Sequence, residues 1–349
     1  MKNSILVTLS LILSVAIGLT FANKGGVSST AESPDKKIII GLSMDTLKEA
    51  RWQKDRDIFV DSAQKLGAEV IVQSANSDDV LQMKNVKSLI AQKVDVLVII
   101  PHNSMAMAEA VRLAHEAGIP VIAYDRLITN CDLDLYITFN NEKVGEAQAQ
   151  TLLDHLPKTG QSRIVRVFGA PTDNNAKLFK QGQDKVILPA IEAGRIKVLH
   201  QGWAEGWMPK NSKIIVNAAL ANHGTDIQAI LTSNDGTAGG AVQSLTEKNL
   251  TGKVLVTGQD AEIAAIQRII RGEQLMTIYK PIKIIAARAA ELAIDMANRK
   301  VIVAKHTTAN GLKDVPSVLL DFHVVTKDNI EETIVKDGFH SAEELGLNK

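Results

Sequence analysis

Polar and aromatic side chains recur in this chain immediately after short apolar runs. Met44-Asp45 is followed by Glu49, Arg51 and Trp52. Then come Pro101-His102-Asn103, Tyr124-Asp125-Arg126, Asp173-Asn174-Asn175, Trp203 and Trp207, Asn234-Asp235, Gln259-Asp260 and Tyr279-Lys280. Arg, Asn and Asp offer planar, multidentate hydrogen-bonding groups, and an indole offers a flat apolar plate. A carbohydrate asks for that mixture, because its hydroxyls donate and accept at once while its C–H faces pack on aromatic rings. All three tryptophans belong to the set, in a chain with only 4% aromatic residues. Taken singly, each residue has a plainer reading: Trp as a core lid, Asn or Asp as a helix cap, Arg51 and Arg126 as surface ion-pair residues. Together, at the same edge of parallel sheets, they favour a site for a polar small molecule.

Catalytic readings are poorer. No GxSxG, HExxH, Walker A or GxGxxG motif is present. The run Gly236-Thr237-Ala238-Gly239-Gly240 lacks dinucleotide spacing and reads as close helix packing. The eight histidines are scattered, so no metal site or cofactor is expected. A glycosidase needs two facing carboxyl groups; Asp260 offers one, and no partner presents itself. The residues thus point to a binding protein and not an enzyme. Lys plus Arg equals Asp plus Glu at 39 each, which leaves no basic face for nucleic acid. The single Cys131 cannot form an internal disulfide.

The elements that position these residues follow from the hydropathy pattern. Lys2 precedes an uncharged run at 5–22 and a polar linker up to about residue 36. That is a secretory leader, either a cleaved signal peptide or an uncleaved membrane anchor. Both readings put the rest of the chain outside the cytoplasm, and the absence of Cys here leaves no lipoprotein site. About 310 residues remain, more than one ordinary core supports, so two lobes are expected. From residue 37 short apolar runs alternate with amphipathic segments, as in parallel α/β units. Strands are predicted at 38–42, 69–72, 94–100, 120–123 and 135–139, with helices at 52–66, 78–92 and 105–117 between them. The rhythm then restarts, with strands at 163–168, 196–200, 229–232, 253–257 and 275–279. Helices are predicted at 142–156, 175–193, 209–221, 237–248, 261–271 and 281–298. The stretch 301–349 is mixed and harder to read.

Several of these blocks are far more specific than a generic pattern. Glu49 to Asp57 (EARWQKDRD), 94–101 (VDVLVIIP), Ala123-Tyr124-Asp125-Arg126, Asp173 to Phe179 (DNNAKLF), Ser233-Asn234-Asp235, Gly258-Gln259-Asp260 and Tyr279-Lys280-Pro281 resemble the D-xylose-binding branch of the periplasmic sugar-binding, ribose/galactose-like family. The likeness covers nearly everything after Lys37. It implies a type I periplasmic-binding fold: two doubly wound parallel-sheet α/β lobes joined by three crossings, near 139–140, 280–281 and 309–310. The N-terminal lobe would hold 37–139 and 281–309, the C-terminal lobe 140–280 and 310–349. The resemblance further implies that Arg51 and Arg126 bind sugar hydroxyls and that Asn175, Asn234, Asp260 and Lys280 are polar contacts of the other lobe and hinge. Trp52 and Trp207 would be the plates on either side of the ring. D-xylose is the implied ligand, and the membrane permease of an ABC transporter the implied partner. The leader, if uncleaved, suggests an alternative partner, a membrane receptor or sensor histidine kinase.

Overall fold

The computed structural model describes residues 37–347. The leader or anchor read at 5–22 lies outside the described residues. Among the described residues no helix is long and apolar enough to cross a membrane.

Apolar runs too short for helices build the first sheet. β1 (Ile39–Met44), β2 (Glu69–Ser74), β3 (Val96–Ile99), β4 (Val121–Tyr124) and β5 (Leu135–Phe139) pair in parallel in the order β5-β4-β3-β1-β2. Alternate residues of β3 enter different layers. Val96 and Val98 pack with Trp52, Phe59 and Ala63 of α1 (Ala50–Lys65), whereas Leu97 and Ile99 pack with Val86 and Leu89 of α2 (Asp79–Ala91) and Val111 of α3 (Ala108–Glu116). Burial on both faces is why β3 is continuously apolar.

The chain then leaves for a second sheet, β7-β6-β8-β9, again parallel: β6 (Ser162–Phe168), β7 (Ile196–Trp203), β8 (Ala229–Thr232) and β9 (Leu255–Val256). α4 (Asn141–His155) and α5 (Asn174–Glu192) cover one face. α6 (Pro209–His223) and α7 (Asp235–Thr246) cover the other, and α8 (Ile263–Ile270) follows. α4 and α5 approach closely because Gly145 and Gly182 face backbone; a Cβ on Gly182 would lie 1.9 Å from the Glu142 carbonyl oxygen. After β10 (Thr277–Tyr279), α9 (Ile282–Ala297) returns to the first sheet and lays Ile285, Ala289 and Ala293 beside α1.

The third crossing differs from the expectation. β11 (His306–Ala309) and β12 (Asp314–Leu320) form an antiparallel pair, and β12 runs parallel to β5, with Ser317 opposite Tyr136 and Leu320 opposite Phe139. Residues up to 320 therefore belong to the first lobe, and the crossing falls at Asp321-Phe322. Pro316 explains the misreading, since proline argues against an interior strand. Pairing with β5 begins only at Ser317, so the missing N–H is not needed on that side. Beyond the crossing, β13 (His323–Val325) pairs with β10, and α10 (Ala342–Leu345) ends the described chain in the second lobe's core.

Candidate ligand-binding cleft

Residues at the carboxyl ends of strands from both lobes line one cleft with about 380 Å³ of atom-free space. Glu49, Arg51 and Trp52 arrive from the turn after β1 and the start of α1, and Asp125 and Arg126 from the end of β4. The second lobe contributes Asp173, Asn175 and Phe179 around the start of α5, and Trp207 just before α6. Asn234 caps α7, Gln259 and Asp260 follow β9, and Lys280 follows β10. Arg51, Trp52, Arg126, Asn175, Trp207, Asn234, Asp260 and Lys280, the eight residues singled out from the sequence, all lie on this lining.

The two arginines organise the charge. Each is only 6% exposed, so each must be paired to be tolerated as a cation. Arg51 meets three carboxylates: Asp55 through Nε at 3.2 Å, Asp125 through Nη2 at 2.8 Å and Asp260 through Nη1 at 3.1 Å. Lys280 Nζ reaches the same Asp260 oxygen at 3.2 Å. Burial works against the charge of Asp125, but Arg51 and Lys280 outweigh it and hold the carboxyl at about 2. Asp55 lies deeper; burial dominates over Arg51 and pushes it up to about 6. Its Oδ1 accepts from the Tyr124 hydroxyl.

Arg126 donates to Asp45 Oδ2 at 2.6 Å and, across the cleft, to Asp173 Oδ2 at 2.9 Å. Burial raises the Asp173 carboxyl above its usual range despite Arg126. At Asp45 burial also pushes upward, yet Arg126 and a 2.9 Å contact with His102 Nδ1 bring the carboxyl below its usual range. Asn175 Nδ2 donates to the Asp125 carbonyl at 3.0 Å and to its Oδ1 at 3.1 Å, a second tie between the lobes. Asp125 and Asp260 both hold left-handed backbone, φ 61° and 94°, a cost of order 1 kcal/mol or more each that clusters at functional positions.

The aromatic plates are fixed by different means. Trp52 sits in the first lobe's core with the Arg51 guanidinium 4.2 Å and that of Arg126 5.2 Å from its ring centre. Trp207 donates from Nε1 to Asp173 Oδ2 at 3.1 Å and meets Phe179 edge-on at 6.4 Å. Its ring lies over Gly169, where a Cβ would come within 1.9 Å of the indole. Trp203 is outside the cleft lining and packs on Phe168 at 5.0 Å.

Phe179 and the buried Asp55 are additions that the sequence did not single out. The four-residue spacing of Arg51 and Asp55 on a helix was the one signal for Asp55, and it reads equally well as a surface ion pair. The arrangement presents fixed, charged hydrogen-bonding groups around an aromatic-walled space, suited to holding a neutral polyhydroxylated ring.

Comparison with known proteins agrees with that chemistry. The family described as "Periplasmic binding protein domain" matches residues 40–300. The chain is 49% identical over 310 residues to the D-xylose-binding periplasmic protein of Escherichia coli, covering 89% of this chain and 93% of that protein. It is 48% identical over 318 residues to the protein of that name in Haemophilus influenzae, covering 91% and 94%. The carbohydrate transporter solute binding protein of Chloroflexus aurantiacus, solved with D-glucose, superposes with a TM-score of 0.84 at 32% identity, covering 88% of this chain and 98% of that one. The chain belongs to the periplasmic binding protein family.

Proposed function

We propose that this chain binds D-xylose outside the cytoplasm, closes its lobes around the sugar, and presents it unchanged to the membrane permease of an ABC transporter. The observation that carries the reading is the convergence of Arg51, Arg126, Asn175, Asn234, Asp260 and Lys280 with two indoles on one interlobe cleft. Identity of 49% and 48% with two D-xylose-binding periplasmic proteins supports the choice of sugar. Closure follows from the cleft's construction: each arginine needs carboxylates from both lobes, so the paired state is the shut one. Release would then require the lobes to swing apart about the three crossings.

Titration calorimetry with D-xylose, D-ribose, L-arabinose and D-glucose tests this. One site with xylose bound most tightly is expected, and the sugar should be recovered chemically unaltered. Tighter binding of ribose or glucose than of xylose would remove the specificity.

A further inference from the structure

The turn that carries Asp260 is held against its own conformational preference. Asp260 and Ala261 both adopt left-handed backbone, φ 94° and 50°, and such residues persist only where the surroundings fix them. Three ties do so. Asp260 N donates to the Ile278 carbonyl at 2.8 Å, Ala261 N donates to Thr277 Oγ1 at 3.2 Å, and the Ala261 carbonyl lies 2.8 Å from His340 Nε2. The first two come from β10, in the same lobe. The third comes from the C-terminal segment, where His340 is buried, only 5% exposed.

That contact fixes the tautomer. A carbonyl only accepts, so Nε2 carries the proton and Nδ1 of the neutral ring is left as an acceptor. Lys54 Nζ stands 3.3 Å from that Nδ1, donates to the Phe339 carbonyl at 2.7 Å and lies 4.4 Å from the Phe339 ring centre. Lys54 is on α1 of the first lobe, three residues after Arg51, whereas Phe339 and His340 belong to the second. A second proton on the ring would set one cation against another. Burial, and then the Lys54 charge, act against that proton, while the bond to Ala261 and the charge of Glu344 on α10 favour it; the ring ends below its ordinary value.

We infer that His340 is a positioning residue for sugar binding: it holds the carbonyl behind Asp260 and joins that turn, through Lys54, to the helix that carries Arg51. Arg51 and Asp260 come from opposite lobes, and the path from Lys54 through His340 to Ala261 sets their spacing from behind. The tie is complete while the ring is neutral, above its ordinary pKa, and is lost as the pH falls through the lower folded value. This deepens the xylose reading of the cleft and rests on it.

The test is calorimetry with D-xylose on the full chain and three variants, from about pH 7.5 down to about pH 4.5. His340→Gln supplies an amide donor for Ala261 and an acceptor for Lys54 but cannot titrate; at neutral pH it should bind within about threefold of wild type. His340→Leu loses both bonds and should bind at least about fivefold more weakly. Lys54→Met removes the ammonium that a charged ring would face. Asp55 and Glu262 titrate in the same range but do so in every variant, so the His340 contribution is a difference. On acidification the wild type should lose at least about threefold more affinity than His340→Gln or Lys54→Met. Equal acid losses in all three would overturn the inference, and so would wild-type affinity in His340→Leu. Where the melting curve shows His340→Leu unfolded, the other two variants decide. A histidine that served stability alone would move melting temperatures and leave these affinity differences flat. Failure of the wild type to bind xylose at any pH removes the reading beneath instead.

Discussion

Arg126 in the first lobe and Asp173 in the second meet across the cleft at 2.9 Å, and the carboxylate oxygen they share also accepts from the Trp207 indole. One oxygen thus joins the lobes and orients an aromatic plate. Asp173→Asn should keep the side-chain shape but remove the charge that Arg126 needs. Loss of one partner of a buried pair is expensive, so xylose binding should weaken by roughly 2–3 kcal/mol in a titration. Wild-type affinity in this variant would show that the tie does not contribute to the bound state.

Asp260 is shared by Arg51 and Lys280 and holds φ 94°. Asp260→Ala should cost at least about 2 kcal/mol of xylose affinity, because sugar hydroxyls and two buried cations lose a charged acceptor. An unchanged isotherm would take Asp260 off the site.

Gly169→Ala isolates the role of the Trp207 plate. The added methyl must displace the indole, which sits 1.9 Å from where that carbon would be. Xylose affinity should fall together with a shift in tryptophan emission, while the unfolding temperature of the sugar-free protein changes little. An unshifted emission spectrum would mean that the ring is not seated there.

The linkage of pH to stability should be visible at Glu262, which lines a pocket with Ile263 and His340. Burial, and then the charge of Asp260, push its carboxyl from 4.5 up to about 7. The folded protein holds this proton more tightly than the unfolded chain. Its stabilising contribution is full below pH 4.5 and is lost as the pH rises through about 7. Glu262→Gln should therefore melt higher than wild type at pH 8 and alike at pH 4. Parallel melting curves at both pH values would refute the assignment.

Ser104 ties the lobes without lining the cleft. Its backbone N–H donates to the Thr172 carbonyl at 3.1 Å, and its Oγ accepts from Asn174 N at 3.1 Å. Ser104→Ala should weaken xylose binding by about 1 kcal/mol or less, through the closed state alone. In solution scattering the variant should still contract on adding sugar, but at higher sugar concentration. A variant that binds like wild type would exclude this contact from closure.

Much of this architecture was legible because short apolar runs and strand-end polar groups are local signals. The strands at 135–139 and 229–232 begin and end where the pattern puts them, since each is wholly buried and flanked by polar residues. The strand-end pattern gathered the eight cleft residues in a longer list that also held His102, Asn103 and Trp203, which lie off this lining, and the family resemblance is what picked out the eight. Partnerships were not legible. Nothing local says that Asp45 is held by Arg126 and His102, or that Asp55 accepts from Tyr124. β12 was lost because Pro316 masks a strand whose pairing is set by β5, far away in the chain. Cavities are illegible for the same cause, since the cleft is walled by residues from seven separate stretches.

The return of α9 and β12 to the first sheet has a consequence for how the chain is made. Synthesis releases β1 to β5 first, yet Ile285, Ala289 and Ala293, which close the layer over them, emerge only after most of the second lobe. The flanking strand β12 comes later still. Contacts so distant along the chain form slowly, so the nascent first lobe keeps an open hydrophobic face until α9 has emerged. The lobe made first is thus the lobe finished last.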